Sequence, residues 1–379
     1  MKVLIAMDSF KGCLGSREAG EAVRDGVLAA CPKAAITLLP LADGGEGTVA
    51  ALCAPEERRV CTVTGPLGER VEAVYGIRRA SGTAVLEMAA SAGLPLVPAE
   101  KRDPFAATTC GVGELIADAI AAGCREFLIG IGGSATNDGG AGLLAALGFR
   151  LLNQAGSEIA PGAAGLAELA RIDPSGALPE LRDCRFLVAC DVENPLCGPN
   201  GAAAVYGPQK GARPADIPVL DAALERFGRI ACRDLGRGDP LAPGAGAAGG
   251  LGFGLMAGLG AELRSGVELV LRETGFREAA AGCDLFFTGE GRIDRQTAMG
   301  KAPGGAAAAA RALGVPAVAL GGSVSPEAGA GFDGVFGIQS GPVSLETALD
   351  PARARQELAR TAEQVTRLAM AAARGKHRD

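Results

Sequence analysis

Hydrophobic positions along this chain fall into short compact runs separated by longer stretches of helical period. Lys2 to Met7 is one such run and Ile36 to Leu39 another; between them, Ser16 to Ala30 carries Ala19, Val23, Val27 and Ala30 on one face. Strand, helix, strand in that order is a βαβ unit, which implies a parallel sheet with its functional loops at the carboxyl ends of the strands. Asp8 and Asp43 both follow such an end. The order recurs as a helix over 113–122, a strand over 126–131, a helix over 139–147 and a strand over 150–152, and again over 285–288, 301–313 and 317–320. A closing helix is predicted from about Pro351, with Leu358, Val365 and Leu368 sharing a face.

Other segments differ in character. Val60 to Thr64, Val71 to Ile77 and Thr83 to Met88 are β-rich runs split by Gly-Pro and Gly turns, the pattern of antiparallel hairpins. Asn194 to Gly260 is glycine-rich and weakly periodic. The expected fold is an α/β one, a doubly wound parallel-sheet domain with a second α/β domain inserted in it. Residues 1–47, 105–193 and 282–379 would form the discontinuous Rossmann-like domain and residues 48–104 and 194–281 the insert, with the active site in the cleft between them.

At 379 residues, 48% hydrophobic and 21% charged, the chain is long enough for two domains and apolar enough to fold by itself. Its 37 basic and 43 acidic residues leave a net charge of -6, with no basic run of the kind that tracks a nucleic-acid backbone. Nucleic acid is therefore not expected as a partner. The longest uncharged apolar stretches, such as 302–310 and 315–322, fall short of the roughly 18 to 20 residues that cross a bilayer. The first apolar run is also too short for a secretory signal. A cytoplasmic protein with no membrane partner is expected, with a homo-oligomer left open.

Eleven cysteines, an odd count with no C-x-x-C pair, suit neither zinc nor a disulfide framework and read as small apolar residues in a reducing compartment. The one histidine, His377, stands in the polar tail. That removes Ser-His-Asp, Cys-His and His-ligated metal sites, so an enzyme built on this chain would use carboxylates or lysines as acid and base.

The 58 glycines gather where ligand chemistry would need close backbone approach. Gly130-Ile-Gly-Gly-Ser-Ala135 fits G-x-G-x-x-A between a strand and a helix, yet the next strand ends Leu152-Asn153-Gln154, without the acidic ribose partner of a nicotinamide site. What remains is a loop in which Gly132 and Gly133, with Ser134, Thr136 and Asn137 capping a helix, would cradle a phosphate or other anion. No P-loop sequence occurs. Only 7 basic residues are Lys, and Lys11, Lys210 and Lys301 all stand beside glycine, where a compact ammonium would meet a phosphoryl group or a carboxylate. Asp8, Asp43, Glu46, Asp138, Asp191, Glu290 and Asp294 stand at strand ends or in glycine loops. Each alone reads as a turn cap; together with the lysines they resemble a site for Mg²⁺ and a nucleoside triphosphate. Asp191, Glu290 and Asp294 are the candidate metal ligands. Asp191, after the strand over 186–190, is the leading candidate base, with Asp43 and Asp294 as alternatives.

Several longer strings point further. Asp8-Ser-Phe-Lys-Gly12, Ala42-Asp-Gly-Gly-Glu-Gly-Thr48, Thr64-Gly-Pro-Leu-Gly68, the run from Gly130 to Gly140, Ala189-Cys-Asp-Val-Glu-Asn-Pro-Leu196, Gly207-Pro-Gln-Lys-Gly211, Gly244-Ala-Gly-Ala-Ala-Gly-Gly250 and Thr288-Gly-Glu-Gly-Arg-Ile-Asp294 resemble the glycerate kinases of the bacterial type I family. The resemblance runs in order from Met1 to about Leu368 and departs at Cys13, where Ser is usual, at Met7, where Pro is usual, and in a shortened stretch after Cys53. It implies two α/β domains and an ATP- and Mg²⁺-dependent kinase acting on D-glycerate, most often at the 2-hydroxyl. A nicotinamide-dependent dehydrogenase would share the glycine loop but lack its acidic partner. A non-catalytic sensor of glycerate or nucleotide would keep the pocket and lose the lysines and carboxylates.

Overall fold

The computed structural model describes residues 1–42, 44–298, 301–329 and 331–375. The chain forms two units, Met1–Asp43 with Val267–Asp379, and Gly44–Gly266. Strands in chain order are β1 (Lys2–Ile5), β2 (Ala35–Leu38), β3 (Arg58–Thr64), β4 (Arg70–Ile77), β5 (Ala84–Glu87), β6 (Glu126–Gly130), β7 (Arg150–Leu152), β8 (Arg171–Asp173), β9 (Arg185–Ala189), β10 (Glu262–Arg264), β11 (Leu285–Ile293), β12 (Ala317–Val324) and β13 (Gly334–Gly337).

The first unit carries a five-stranded sheet in the order β13–β12–β11–β1–β2, every neighbour parallel. Helices cover both faces, and two-sided burial is why its strands read as unbroken apolar runs. Val3, Ile5, Leu285 and Phe287 pack with the helices Ser16–Ala30 and Pro351–Gly375, whereas Leu4 and Phe286 pack with Ala302–Arg311. Gly26 is required where the first two helices meet, because a Cβ there would stand 2.0 Å from the Ala359 carbonyl oxygen. In the closing helix Leu358 and Val365 are buried as expected, but Leu368 is exposed. The buried stripe runs through Leu358, Ala362, Val365 and half-buried Ala369, and residue 368 lies about 100° off it.

The second unit carries a six-stranded sheet in the order β10–β9–β6–β5–β4–β3. β5, β6, β9 and β10 run parallel, and β3, β4 and β5 form the antiparallel hairpins read from the sequence. Phe127 and Phe186 stack across β6 and β9 with ring centroids 4.7 Å apart.

The unit boundaries differ from those expected. Residues 105–193 do not join the first sheet: β6 and β9 pair with β5 and β10. Residues 267–281 leave the insert, since Val267, Leu271, Phe276 and Ala280 bury in the core of the first unit. The insert is thus one continuous stretch. β7, expected to extend a parallel sheet, pairs antiparallel with β8 alone. Gly289-Glu-Gly291, read as a loop, continues β11, because β12 runs beside it as far as Val324 and supplies the pairing. The weakly periodic stretch over 194–260 holds the helix Ile217–Leu235 and the segment Ala247–Leu259, which becomes helical only after a left-handed break at Ala248, Gly249 and Gly250.

Candidate active site

In the first unit the chain leaves β1 toward β2 on one side and β11 toward β12 and β13 on the other. The carboxyl ends of β1 and β11 therefore flank a topological switch point, where open parallel sheets bind their ligands. Asp8 and Lys11 follow β1. Glu290 lies in the second half of β11 and Asp294 directly follows the strand. The Asp8 amide donates to the Gly289 carbonyl at 2.8 Å, and a Cβ on Gly291 would stand 3.6 Å from the Lys11 backbone nitrogen, so the Lys11 loop lies along β11. Lys11 itself is exposed.

Glu290 is half-buried. Its Oε1 accepts from the Thr297 hydroxyl at 2.6 Å, its Oε2 lies 3.8 Å from Lys301 Nζ, and the Asp294 amide donates to the same Thr297 hydroxyl at 3.1 Å. Burial pushes the Glu290 carboxyl above its ordinary range and Asp294 adds to this, while Thr297, Lys301 and Lys11 pull the other way. Lys301 is the N-cap residue of the helix Ala302–Arg311, whose first amides face an anion-favouring end. Thr288, two residues before Glu290 and hence on the same face of β11, is buried with an unpartnered hydroxyl. Thr288 and Thr297 were not singled out by sequence reasoning; Thr288 heads the Thr288-Gly-Glu-Gly string, which was the available signal.

In the second unit the loop after β6 and Asp191, two residues beyond β9, share the carboxyl edge of the sheet. Gly132 and Gly133 are exposed, as an anion cradle requires, and Ser134 is buried in a bridge to Gly93. Gly130 must be glycine, because a Cβ would stand 2.1 Å from the Gly44 carbonyl oxygen of the Ala42–Thr48 string. Asp191 is exposed, and its Oδ1 accepts from the Ser265 hydroxyl and the Gly266 amide, both at 2.9 Å, across the end of β10. Ser265 is a further residue the sequence did not flag.

The helix-capping role expected of Ser134, Thr136 and Asn137 is not what forms. The helix Ala141–Ala146 starts behind Gly140 with no side-chain cap from any of them. Asp138 does that work: fully buried, it accepts from the Gly140 and Gly142 amides, the Thr109 amide and the Thr109 hydroxyl at 2.8–3.1 Å. Desolvation raises its pKa against these four hydrogen bonds. Lys210 is also buried, and its ammonium donates to the Thr136 carbonyl at 2.6 Å. Burial lowers its pKa to about 7, with Asp138 pulling upward. Thr136 and Asn137 are buried, and neither the hydroxyl nor either amide atom has a partner. Each such atom costs about 1–3 kcal/mol.

Asp43 and His377 lie outside the described residues. The candidate metal ligands divide between the units, Asp191 in the second and Glu290 with Asp294 in the first. Among the described residues no group of three or more His, Cys, Asp or Glu is gathered as for a metal ion. β7, which ends at Leu152 just before Asn153, does not neighbour β6, which removes the ribose contact a nicotinamide site needs. Among the described residues no helix is long and apolar enough to cross a membrane.

Residues 3–370 match the model of the glycerate kinase family. The chain is 48% identical over 371 residues to a glycerate kinase of Bacillus subtilis (strain 168), covering 96% of this chain and 97% of that one. It is 47% identical over 354 residues to a glycerate 2-kinase of Escherichia coli (strain K12), covering 92% and 93%. A crystal structure from Salmonella typhimurium LT2, described as a glycerate kinase 2, superimposes with a TM-score of 0.90 at 45% identity, covering 99% of each chain.

Proposed function

The chain belongs to the glycerate kinase family, and on that premise we propose that it transfers the γ-phosphoryl group of ATP to D-glycerate, giving ADP and 2-phosphoglycerate. The observation that carries this reading is the Glu290–Thr297–Lys301 cluster at the switch point beside β1. Phosphoryl transfer is mostly positioning and charge neutralisation, and this cluster combines a cation, a helix N-terminus and a carboxylate, as such a reaction requires. Lys301, Lys11 and the first amides of Ala302–Arg311 would hold the nucleotide phosphates. The exposed Gly132-Gly133 loop with Ser134 is a second anion cradle.

Glu290 and Asp294 offer hard oxygen donors, a set that fits Mg²⁺, which prefers one or two carboxylates together with waters and phosphate oxygens. When bound, that ion supplies charge neutralisation at the transferring phosphoryl group. Asp191, exposed and oriented by Ser265 and Gly266, would accept the proton of the attacking 2-hydroxyl. The Escherichia coli relative is named a glycerate 2-kinase, which supports the 2-position. The odd cysteine count with no C-x-x-C pair supports a cytoplasmic, reducing setting.

The test is ADP release by the purified chain with ATP, Mg²⁺ and D-glycerate, followed by ³¹P and ¹H NMR of the product. A 2-phosphate is expected. A 3-phosphate would overturn the regiochemistry, and the absence of glycerate-dependent ADP would overturn the activity.

A further inference from the structure

We propose that Asn137, with Thr136 beside it, reads the hydroxyl of the acceptor acid that is not phosphorylated, and so sets acceptor specificity. This rests on the glycerate reading above. Asn137 is fully buried with neither its amide nitrogen nor its amide oxygen partnered, and the adjoining Thr136 hydroxyl is likewise unpartnered. Buried polar groups in native proteins are paired, so three unpaired atoms on two consecutive residues mark a place where something else completes the pairing. Their chemistry is that of a neutral hydroxyl partner: the amide offers both donor and acceptor, the threonine hydroxyl either, and an alcohol O–H needs both. An anion fits less well, because Lys210, the cation bound at this backbone, already donates to the Thr136 carbonyl and is opposed by Asp138.

The surroundings hold these two residues rigidly, as a specificity site requires. Lys210 fixes the Thr136 carbonyl, the Ala135 amide donates to the Ala92 carbonyl, and Asp138 is tied by four hydrogen bonds. Over them lies the Gly244–Gly250 string. A Cβ on Gly249 would stand 1.9 Å from the Thr136 carbonyl oxygen and 2.8 Å from the Asn137 Cα. Ala248, Gly249 and Gly250 are successively left-handed, and Ala248 (φ 54°) is the only non-glycine with positive φ among the described residues. Strain of this kind collects at ligand clamps. A shift of this cover, the step that would admit a hydroxyl, is eased because two of its three residues are glycine and the third is strained. The same string reaches back to the turn behind Asp191, where the Gly246 amide donates to the Asn194 carbonyl and a Cβ on Gly244 would stand 3.3 Å from the Val192 carbonyl oxygen. The same short string thus touches both the turn behind the candidate base and the backbone of Thr136 and Asn137.

A site built to hydrogen-bond a hydroxyl rejects the analogue lacking it, because its own buried groups are then left unpaired. The experiment compares kcat/KM for D-glycerate and for D-lactate, which keeps the 2-hydroxyl and lacks the 3-hydroxyl. The wild-type chain should prefer D-glycerate by about 10³-fold or more. Asn137→Ala should cut that preference at least tenfold through loss on glycerate, with the KM for ATP unchanged; the near-isosteric Thr136→Val should move it the same way by less. Asn137→Asp keeps the side-chain shape and is the arm to read if the alanine variant does not fold. An unchanged preference with only a lowered Tm would mean a buried water completes the pairing and would overturn the proposal. A change confined to the KM for ATP would also overturn it. A wild-type chain that turns over no glycerate sinks the parent reading and this one together, whereas normal turnover with unaltered preference sinks this one alone.

Discussion

Lys210 buries its ammonium 2.6 Å from the carbonyl oxygen of Thr136, across 74 residues of sequence. A lysine chosen from its glycine setting as a phosphate contact is therefore engaged with its own backbone, on a side chain only 1% exposed. Its effect on catalysis runs through the loop it holds, which makes it a positioning residue. Lys210→Met should raise the KM for glycerate about tenfold while sparing the KM for ATP, and added alkylamine should not rescue it. The pH dependence of stability provides a second readout. From about 7 up to the ordinary value of 10.5 the unfolded chain binds a proton that the folded chain does not, so this group makes stability rise with pH through that window. Thermal melts from pH 7 to 10 should show that rise in the wild-type chain relative to Lys210→Met.

Asp191→Asn keeps the turn at the end of β9, with the amide oxygen still accepting from Ser265 and Gly266, and removes the charge. A fall in kcat of about 10²-fold or more, with both KM values retained, is expected for a lost base. Ser265→Ala should show a smaller fall, since it only orients the carboxylate. Full activity of the asparagine variant in a steady-state assay would assign the proton elsewhere.

Glu290→Gln should raise the Mg²⁺ concentration needed for half-maximal rate by about tenfold, because one of two hard anionic donors is replaced by a neutral amide. The raised pKa of Glu290 places its protonation above the ordinary carboxyl range, so activity should fall on the acid side as pH drops through that raised value. The glutamine variant should lose that acid limb. A metal titration and a pH–rate profile on the same two proteins check both.

Lys301→Ala removes the cation at the start of Ala302–Arg311 and the partner of Glu290. The KM for ATP should rise at least tenfold while that for D-glycerate stays within about twofold, by loss of a charge contact to phosphate. Equal effects on both substrates would argue against a nucleotide role.

Ala248→Gly relieves a left-handed alanine and adds unfolded-state freedom, two effects of about 1 kcal/mol that oppose each other. Stability in urea should change little. Ala248→Val places a β-branched residue at the same φ and should cost about 2 kcal/mol or more.

Much of this protein was legible in the chain itself. Unbroken apolar runs such as Leu285 to Phe287 marked strands buried on two faces, and the helical period of Ser16–Ala30 marked the layer covering them. The β-rich runs of Val60 to Thr64 and Val71 to Ile77, split by a Gly-Pro turn, marked a hairpin, and the ordered glycine and carboxylate strings marked the family. These are local signals, set by which face of each element is apolar and by which backbone positions tolerate no side chain. What stayed hidden was partnership. The βαβ pattern around β6 and β9 reads the same whichever sheet they join, and only packing against β5 and β10 placed residues 105–193 in the inserted unit. Glu290 looked like a loop residue because glycines flank it, until pairing with β12 made the segment a strand. Nothing in Thr136-Asn-Asp138 or around Lys210 announces burial, since solvent exclusion there is the joint work of segments more than 70 residues apart. Periodicity records what each residue turns toward a core, whereas the identity of the facing residue depends on how distant segments pack, and the chemistry of the buried Lys210, Asp138 and Asn137 exists only once that packing has formed.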